Sequence, residues 1–180
     1  KDHIAKKTNI SERTEAADQR EEVGHWEADL VICKRSRPVL VLHERKTRLT
    51  LISRLMSKTA AETVSVLMAL VKRLAPALRG SITFDNGGEF ARHALLRDML
   101  SATTYFCDAY ASWQKGGVEN TNGRIRRWLP RSIDLDQLSD EDIQEIAMTL
   151  NSTPRKCLAF KTPIEAMLAE LGKDVQIRFA

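Results

Sequence analysis

The sequence predicts an α/β fold, with a mixed sheet flanked by helices, and three observations support this prediction. The 180-residue chain is 43% hydrophobic, which suits one ordinary globular core. Three short apolar segments rich in Val, Leu and Ile come first. Segments with helical spacing then alternate with two further apolar segments, and such alternation is typical of α/β proteins.

The first three apolar segments predict three consecutive antiparallel strands. They are "HWEADLVIC", "PVLVLHERK" and "RLTLISRL". The polar connection between the second and third is short, which favours a hairpin. In the first segment, alternation places Glu27 and Asp29 on one face and Trp26 and Ala28 on the other.

The next part of the chain predicts parallel pairing. A helix is expected after Thr59, because Glu62 follows three residues later as in a capping box, and Gly80 marks its end. The segments "SITFD", "EFARHALLRDML" and "TTYFC" then predict a fourth strand, a helix and a fifth strand. Strands joined through helices usually pair in parallel.

Three more helices are expected, and the start of the chain is expected to lie outside the core. "VENTNGRIRRWL" has helical character, Ser139 is placed to cap a second helix and Thr162 a third. Residues 1–22 are charged and poor in large apolar side chains, so they predict a linker or arm. The folded domain would then comprise residues 23–180.

Composition restricts the class of protein. The net charge of +4 and the pI of about 9.1 favour a polyanionic partner. There is no run of eighteen apolar residues and no signal peptide pattern, so we expect no membrane span and a cytoplasmic protein. The three cysteines lack zinc-ligand spacing and are compatible with a reducing compartment.

The stretch "ITFDNGGEF" raises the question of why a strand ends in Asp85. An ordinary turn is one explanation, since Asp, Asn and Gly all favour turns. A metal site is the other. If the first and fourth strands are neighbours, Asp29 and Asp85 approach each other, and a divalent cation such as Mg²⁺ or Mn²⁺ would relieve their repulsion.

Four motifs together resemble the catalytic core of bacterial insertion-sequence transposases. They occur in the order "GHWEADL", "TFDNGGEF", "WQKGGVENTNGRIRRWLP" and "LNSTPRKCLAFKTPIEAM". The most similar group is the insertion-sequence-thirty family, within the superfamily that also contains retroviral integrases. This resemblance implies a ribonuclease-H-like fold with a five-stranded mixed sheet flanked by helices.

The resemblance also implies a catalytic triad of Asp29, Asp85 and Glu119 that holds two Mg²⁺ or Mn²⁺ ions. Glu119 follows Asp85 by 34 positions, as in the family. Two ions about 4 Å apart would activate a water or a DNA 3′-hydroxyl and stabilise the leaving oxygen. The expected reactions are cleavage at transposon ends and strand transfer into target DNA. In this hypothesis Gly87 and Gly88 leave room for the substrate backbone.

Basic and polar residues downstream are the candidates for DNA contact. They are Lys115, Asn122, Arg124, Arg126, Arg127, Arg155 and Lys156. The alternative is that the charges simply solvate the surface. The resemblance further implies transposon ends and target DNA as partners, a homodimer or higher oligomer in the active complex, a nucleoid-associated location in bacteria, and a helix-turn-helix domain upstream of Lys1.

Two other functions stay open at this point. One is a metal-dependent nuclease of the same fold that does not transfer strands. The other is a DNA-binding or assembly module whose catalysis has lapsed. Three further carboxylates are expected to be structural: Asp108 in capping or loop hydrogen bonds, Glu27 in a supporting or structural role, and Glu89 in the first turn of a helix.

Overall fold

A computed structural model of the protein describes residues 4–172 and shows a mixed six-stranded sheet. The strands are β1 (Thr8–Asn9), β2 (His25–Ile32), β3 (Pro38–Glu44), β4 (Thr50–Arg54), β5 (Ser81–Phe84) and β6 (Thr103–Phe106). Their order across the sheet is β1-β6-β5-β2-β3-β4. β2, β3 and β4 are antiparallel, whereas β1, β6, β5 and β2 pair in parallel. The predicted antiparallel and parallel parts of the sheet are therefore confirmed.

The sixth strand is the difference from the predicted five. β1 comes from the segment predicted to be a linker or arm, and it pairs with β6 at the edge of the sheet through Thr8 and Asn9. Ile4, Ile10 and Ala17 of the same segment are buried. A strand of two residues has no periodicity that a sequence pattern could reveal.

Six α-helices are present among the described residues. They are α1 (Glu15–Asp18), α2 (Ala60–Lys72), α3 (Ala94–Leu100), α4 (Gly116–Ile125), α5 (Asp140–Asn151) and α6 (Pro163–Leu171). The predicted caps Ser139 and Thr162 both form reciprocal capping boxes. The helix expected from Glu89 begins later, because a separate 3₁₀ turn (Gly88–Phe90) comes first and its Phe90 ring stacks on Phe84 in the core.

The two faces of the sheet have separate hydrophobic cores. One contains Trp26 and Ala28 of β2 and packs against α2, α3 and α6. The other contains Val31 of β2 and packs against α4 and α5. The predicted alternation in β2 is thus confirmed, and it turns Asp29 towards the face that α4 covers. No helix within residues 4–172 has the length and apolar character needed to cross a membrane.

Candidate active site

Asp29 lies in the middle of β2, beside Asp85, which directly follows the end of the adjacent parallel strand β5. β2 pairs with β5 in a register that sets Glu27 opposite Thr83, and two further residues bring Asp29 opposite Asp85. The Lys115 ammonium lies between them, with Nζ 3.6 Å from Asp29 Oδ1 and 3.4 Å from Asp85 Oδ2. The sheet therefore brings the two aspartates together around one cationic group.

Lys115 is buried and does not lie on the surface, where a residue that contacts DNA is expected. Its side chain is only 1% exposed, and Nζ also donates to the carbonyl oxygen of Ala28 at 3.2 Å. A buried ammonium held by two carboxylates is not available to a DNA phosphate. The phosphate contact of Lys115 is therefore a prediction that this position does not favour. A lysine within a basic run carries no local signal that distinguishes these two roles.

The charges of Asp29 and Asp85 favour a further positive charge beside them. Burial raises the pKa of the Asp29 carboxyl above its usual value, the Lys115 ammonium opposes this rise, and the Asp85 carboxylate adds to it. One ammonium thus compensates two carboxylates only in part. A further cation at this point would stabilise both ionised forms.

Asp85 has a role in the turn as well as in the site. Its Oδ1 accepts a hydrogen bond from the Gly87 amide at 2.9 Å, which is an Asx turn. A Cβ atom at Gly87 would lie 2.6 Å from the carboxyl carbon of Glu89. The missing side chain at Gly87 therefore makes room for Glu89, which pairs with Lys58, and the expectation that it leaves space for substrate is not supported.

Helix α4 carries the third predicted triad member. Glu119 and Asn122 are three positions apart and share a helical face. Asn122 Nδ2 donates to Asp29 Oδ2 at 2.9 Å, so this face lies over the aspartates. Glu119 is exposed and makes no hydrogen bond or ion pair within the described residues. The structure thus joins Asp29, Asp85 and Asn122 directly, while the Glu119 carboxylate stays outside this contact.

The side chains around Asp29 and Asp85 offer oxygen atoms that could bind a divalent metal ion. Among residues 4–172 no three His, Cys, Asp or Glu side chains lie close enough to hold an ion. However, two carboxylates already enclose an ammonium, and Oδ1 of Asn122 is buried without a hydrogen-bond partner in that part of the chain. These are hard oxygen ligands of the kind that Mg²⁺ and Mn²⁺ prefer. The residues Asp29, Asp85 and Asn122 therefore fit such an ion.

A buried ion pair fixes the amino end of α4 on the sheet. Glu27 is ion-paired with Arg45, and its Oε2 accepts from the Val118 amide at 2.7 Å. A Cβ atom at Gly117 would lie 2.8 Å from this oxygen, so the glycine permits the close approach. The supporting role expected for Glu27 agrees with these contacts. Arg45 was not anticipated, since an arginine in a polar connection between strands has no distinctive pattern.

The remaining candidates for DNA contact fall into two groups. Arg126 donates to the carbonyl oxygens of Ile32 and Leu129, so it fastens the end of α4 and the structure does not favour it as a phosphate ligand. The others keep accessible guanidinium or ammonium groups, and DNA contact stays a prediction for them: Arg124, Arg127, Arg155 and Lys156. Asp108 accepts from Asn9 and Gln114, which confirms its expected loop role.

His43 lies beneath the amino end of α4 and is held neutral. Burial is the main cause that lowers the pKa of its imidazole to about 3, and nearby positive charges add to the effect. These charges belong to Arg48, Arg20, Arg155 and Arg45. Because the unfolded chain protonates histidine near pH 6.5, the folded state loses stability as the pH falls below that value.

We expect the wild-type chain to lose about 2 kcal/mol by pH 5 from His43 alone. This corresponds to a fall in melting temperature of roughly 4 to 8 °C. In His43→Gln the melting temperature should fall less between pH 7.5 and pH 5 than in wild type, by roughly 4 to 8 °C. This comparison does not depend on the variant's melting temperature at pH 7.5. Arg73→Gln, an exposed substitution just after α2, is the control and should keep the wild-type slope. Equal slopes in wild type and His43→Gln would contradict this account.

The mixed order of the sheet, Asp29 within β2 beside Asp85 after β5, and the helix that covers them define a protein of the ribonuclease-H-like fold class. The structure superposes on the catalytic core domain of BIV integrase with a TM-score of 0.63, covering 85% of this chain and 99% of that one at 19% identity. At this identity the similarity establishes the ribonuclease-H-like fold alone.

Sequence comparison gives the family. The chain is 41% identical over 166 residues to transposase InsI of insertion sequence element IS30A from Escherichia coli K12, and 37% identical over 150 residues to the transposase of IS1086 from Cupriavidus metallidurans. No protein-family model matches the chain. The chain belongs to the IS30 family of DDE transposases. The two alignments include 91% and 83% of this chain, but only 43% and 44% of the respective relatives.

Proposed function

We propose that this chain is the catalytic core of a DNA transposase, which cleaves phosphodiester bonds at transposon ends and joins the resulting 3′-hydroxyl to target DNA. The observation that carries this proposal is the close approach of Asp29 in β2 and Asp85 after β5, beneath the helix face of Glu119 and Asn122. Relatives that are named as transposases align along most of the chain, which supports it.

Each residue has a defined task in this proposal. Asp29, Asp85 and Glu119 would hold two Mg²⁺ or Mn²⁺ ions, which when bound would polarise the phosphodiester and lower the pKa of an attacking hydroxyl. Asn122 orients the Asp29 carboxylate by its hydrogen bond. Lys115 compensates part of the negative charge of the pair before cations and DNA arrive.

The partners follow from the same proposal. Transposon ends and target DNA are the substrates, and two or more copies of the chain would act together because two ends must be joined. The basic composition favours a polyanionic partner. We place the protein in the bacterial cytoplasm in association with the nucleoid.

Strand joining distinguishes this function from its alternatives. The chain is mixed with supercoiled plasmid and a labelled duplex that carries the ends of its own element, in Mg²⁺, in Mn²⁺ or in chelator. We expect covalent transfer of label to the plasmid in either metal and none in chelator. Metal-dependent nicking of the plasmid without transfer would favour a nuclease instead. DNA binding without cutting in either metal would favour a lapsed module.

A further inference from the structure

A second cluster of charged side chains lies on a different flank of α4 from the aspartates. Four arginines from separate parts of the chain line a pocket of about 230 Å³ at the amino end of this helix. They are Arg20 after α1, Arg48 between β3 and β4, Arg124 on α4, and Arg155 between α5 and α6. Such convergence from four elements is a property of the fold and not of one basic segment.

The positive charge of this pocket is not compensated. None of the four arginines forms an ion pair within residues 4–172, and no acidic side chain of that part of the chain lines the pocket. Desolvation lowers the pKa of Arg20 and of Arg155, and repulsion from Arg48 and from Arg124, respectively, lowers it further. The nearby Glu27 carboxylate is already committed to Arg45 and to the Val118 amide.

His43 supplies an independent observation. It is 3% exposed and lines the pocket, and its Nε2 has no hydrogen-bond partner among the residues that the structure describes. Nδ1 lies 3.1 Å from Thr121 Oγ1 and 3.3 Å from Thr50 Oγ1, and in the tautomer in which the Thr121 hydroxyl donates to Nδ1 the ring hydrogen is on Nε2. In that tautomer Nε2 is a buried donor without a partner, which is costly, so it calls for an acceptor in the pocket.

The amino end of α4 adds to the attraction for an anion. Gly116 and Gly117 begin this ten-residue helix and line the pocket. The first turn of a helix carries a partial positive charge and favours anions, phosphate above all. The volume of about 230 Å³ holds a phosphate group with several waters, each of which takes up about 30 Å³.

We propose that this pocket binds a phosphate group, held by Arg20, Arg48, Arg124 and Arg155 and by the Nε2 hydrogen of His43. Its source is a phosphate of a DNA strand that passes over the amino end of α4. The assignment to DNA rests on the proposed function, whereas binding of the phosphate group does not.

Cys157 provides a probe at the site. It is exposed and lines the pocket, whereas Cys33 and Cys107 are buried, so a bulky maleimide should label Cys157 in the folded chain. The rate of labelling is measured without metal at fixed ionic strength, with duplex oligonucleotide, with inorganic phosphate or with chloride alone. Mass spectrometry of the labelled site identifies any unfolded variant, because the buried cysteines then react too.

We expect the duplex at micromolar concentration to slow labelling of Cys157 several-fold, and inorganic phosphate to do so only at millimolar concentration. In Arg20→Gln and Arg124→Gln, the concentration of duplex or phosphate needed to protect Cys157 should rise about tenfold or more. Each substitution removes a charge-assisted hydrogen bond to the phosphate group. Arg73→Gln, which removes an exposed arginine at the end of α2, is the matched control and should leave it unchanged.

The outcomes separate the two sources of phosphate and separate this site from the catalytic proposal. Protection by inorganic phosphate but not by duplex would overturn the assignment to DNA and favour a small phosphate compound. No protection by either, or equal effects of Arg73→Gln and Arg124→Gln, would overturn the pocket as a phosphate site. Since no metal is present, a failure of strand joining does not affect this measurement, and a failure here does not affect the triad.

Discussion

Replacing any one of Asp29, Asp85 or Glu119 with its amide is expected to lower strand transfer by roughly a thousandfold or more. Each amide keeps the shape of the side chain and removes the charge that would hold the ions. Each amide retains one oxygen, which can still accept from Asn122 at position 29 or from the Gly87 amide at position 85. The Leu30 amide then loses its bond to Asp29 Oδ1, a local loss that should leave the fold preserved. The joined product is quantified on a gel in Mg²⁺ and in Mn²⁺.

Asp108→Asn is the matched control for these variants. Asp108 follows β6, the strand next to β5, but it is fully exposed and bonds to loop side chains. It should therefore keep near-wild-type strand transfer. DNA binding and melting temperature are measured for all four variants. Near-wild-type joining by any one of the three triad variants would remove that residue from the triad.

Arg45→Met is expected to give the largest loss of stability. The pair of Arg45 and Glu27 is buried, with 7% and 1% of the side chains exposed, so solvent does not screen it. The substitution leaves Glu27 ionised without its partner, which costs about 3 to 5 kcal/mol. For a domain of this size the melting temperature should fall by roughly 6 to 20 °C. The change is measured by thermal unfolding without metal.

The double variant with Glu27→Gln identifies the cause. Glutamine removes the unpaired charge, so the double variant should melt higher than Arg45→Met alone. Hydrogen exchange at the Val118 amide should be faster in the double variant than in Arg45→Met, because the glutamine oxygen is a weaker acceptor than the carboxylate. If Arg45→Met melts within about one degree of wild type, the pair does not fix α4 in the way described.

The sequence predicted most of the sheet because its strands are either alternating or continuously apolar, and its helices carry caps. Ser139 and Thr162 are local signals, and they lie where expected. The neighbouring positions of Asp29 and Asp85 followed from the same pattern once the strand order was fixed. β1 was missed because two residues are stabilised only by the edge to which they are added.

The site was harder to predict than the fold because its contacts are set by tertiary structure. Lys115 resembles a surface lysine in a basic run, and only the packing of α4 on β2 shows that it is buried between carboxylates. The pairing of Glu27 with Arg45 and the convergence of four arginines depend equally on distant parts of the chain. Motif resemblance could name residues but could not give these partners.

We propose that Asp85 belongs to a metal site and not only to a turn. Metal that binds the folded state alone stabilises it, by about 1.4 kcal/mol for 10 mM Mn²⁺ and a Kd on the order of 1 mM. The wild-type melting temperature should then rise by roughly 3 to 6 °C. Asp85→Asn retains an oxygen for the Gly87 amide, and it leaves Lys115 and Asp29 as a neutral pair.

The most direct test is a set of melting curves of wild type and Asp85→Asn, with and without Mn²⁺ at matched ionic strength. We predict that Asp85→Asn without metal melts no lower than wild type, because one of two repelling charges is gone. We also predict that most of the rise with Mn²⁺ disappears in this variant. A lower melting temperature without metal together with an undiminished rise with Mn²⁺ would contradict the account and leave Asp85 as a turn residue.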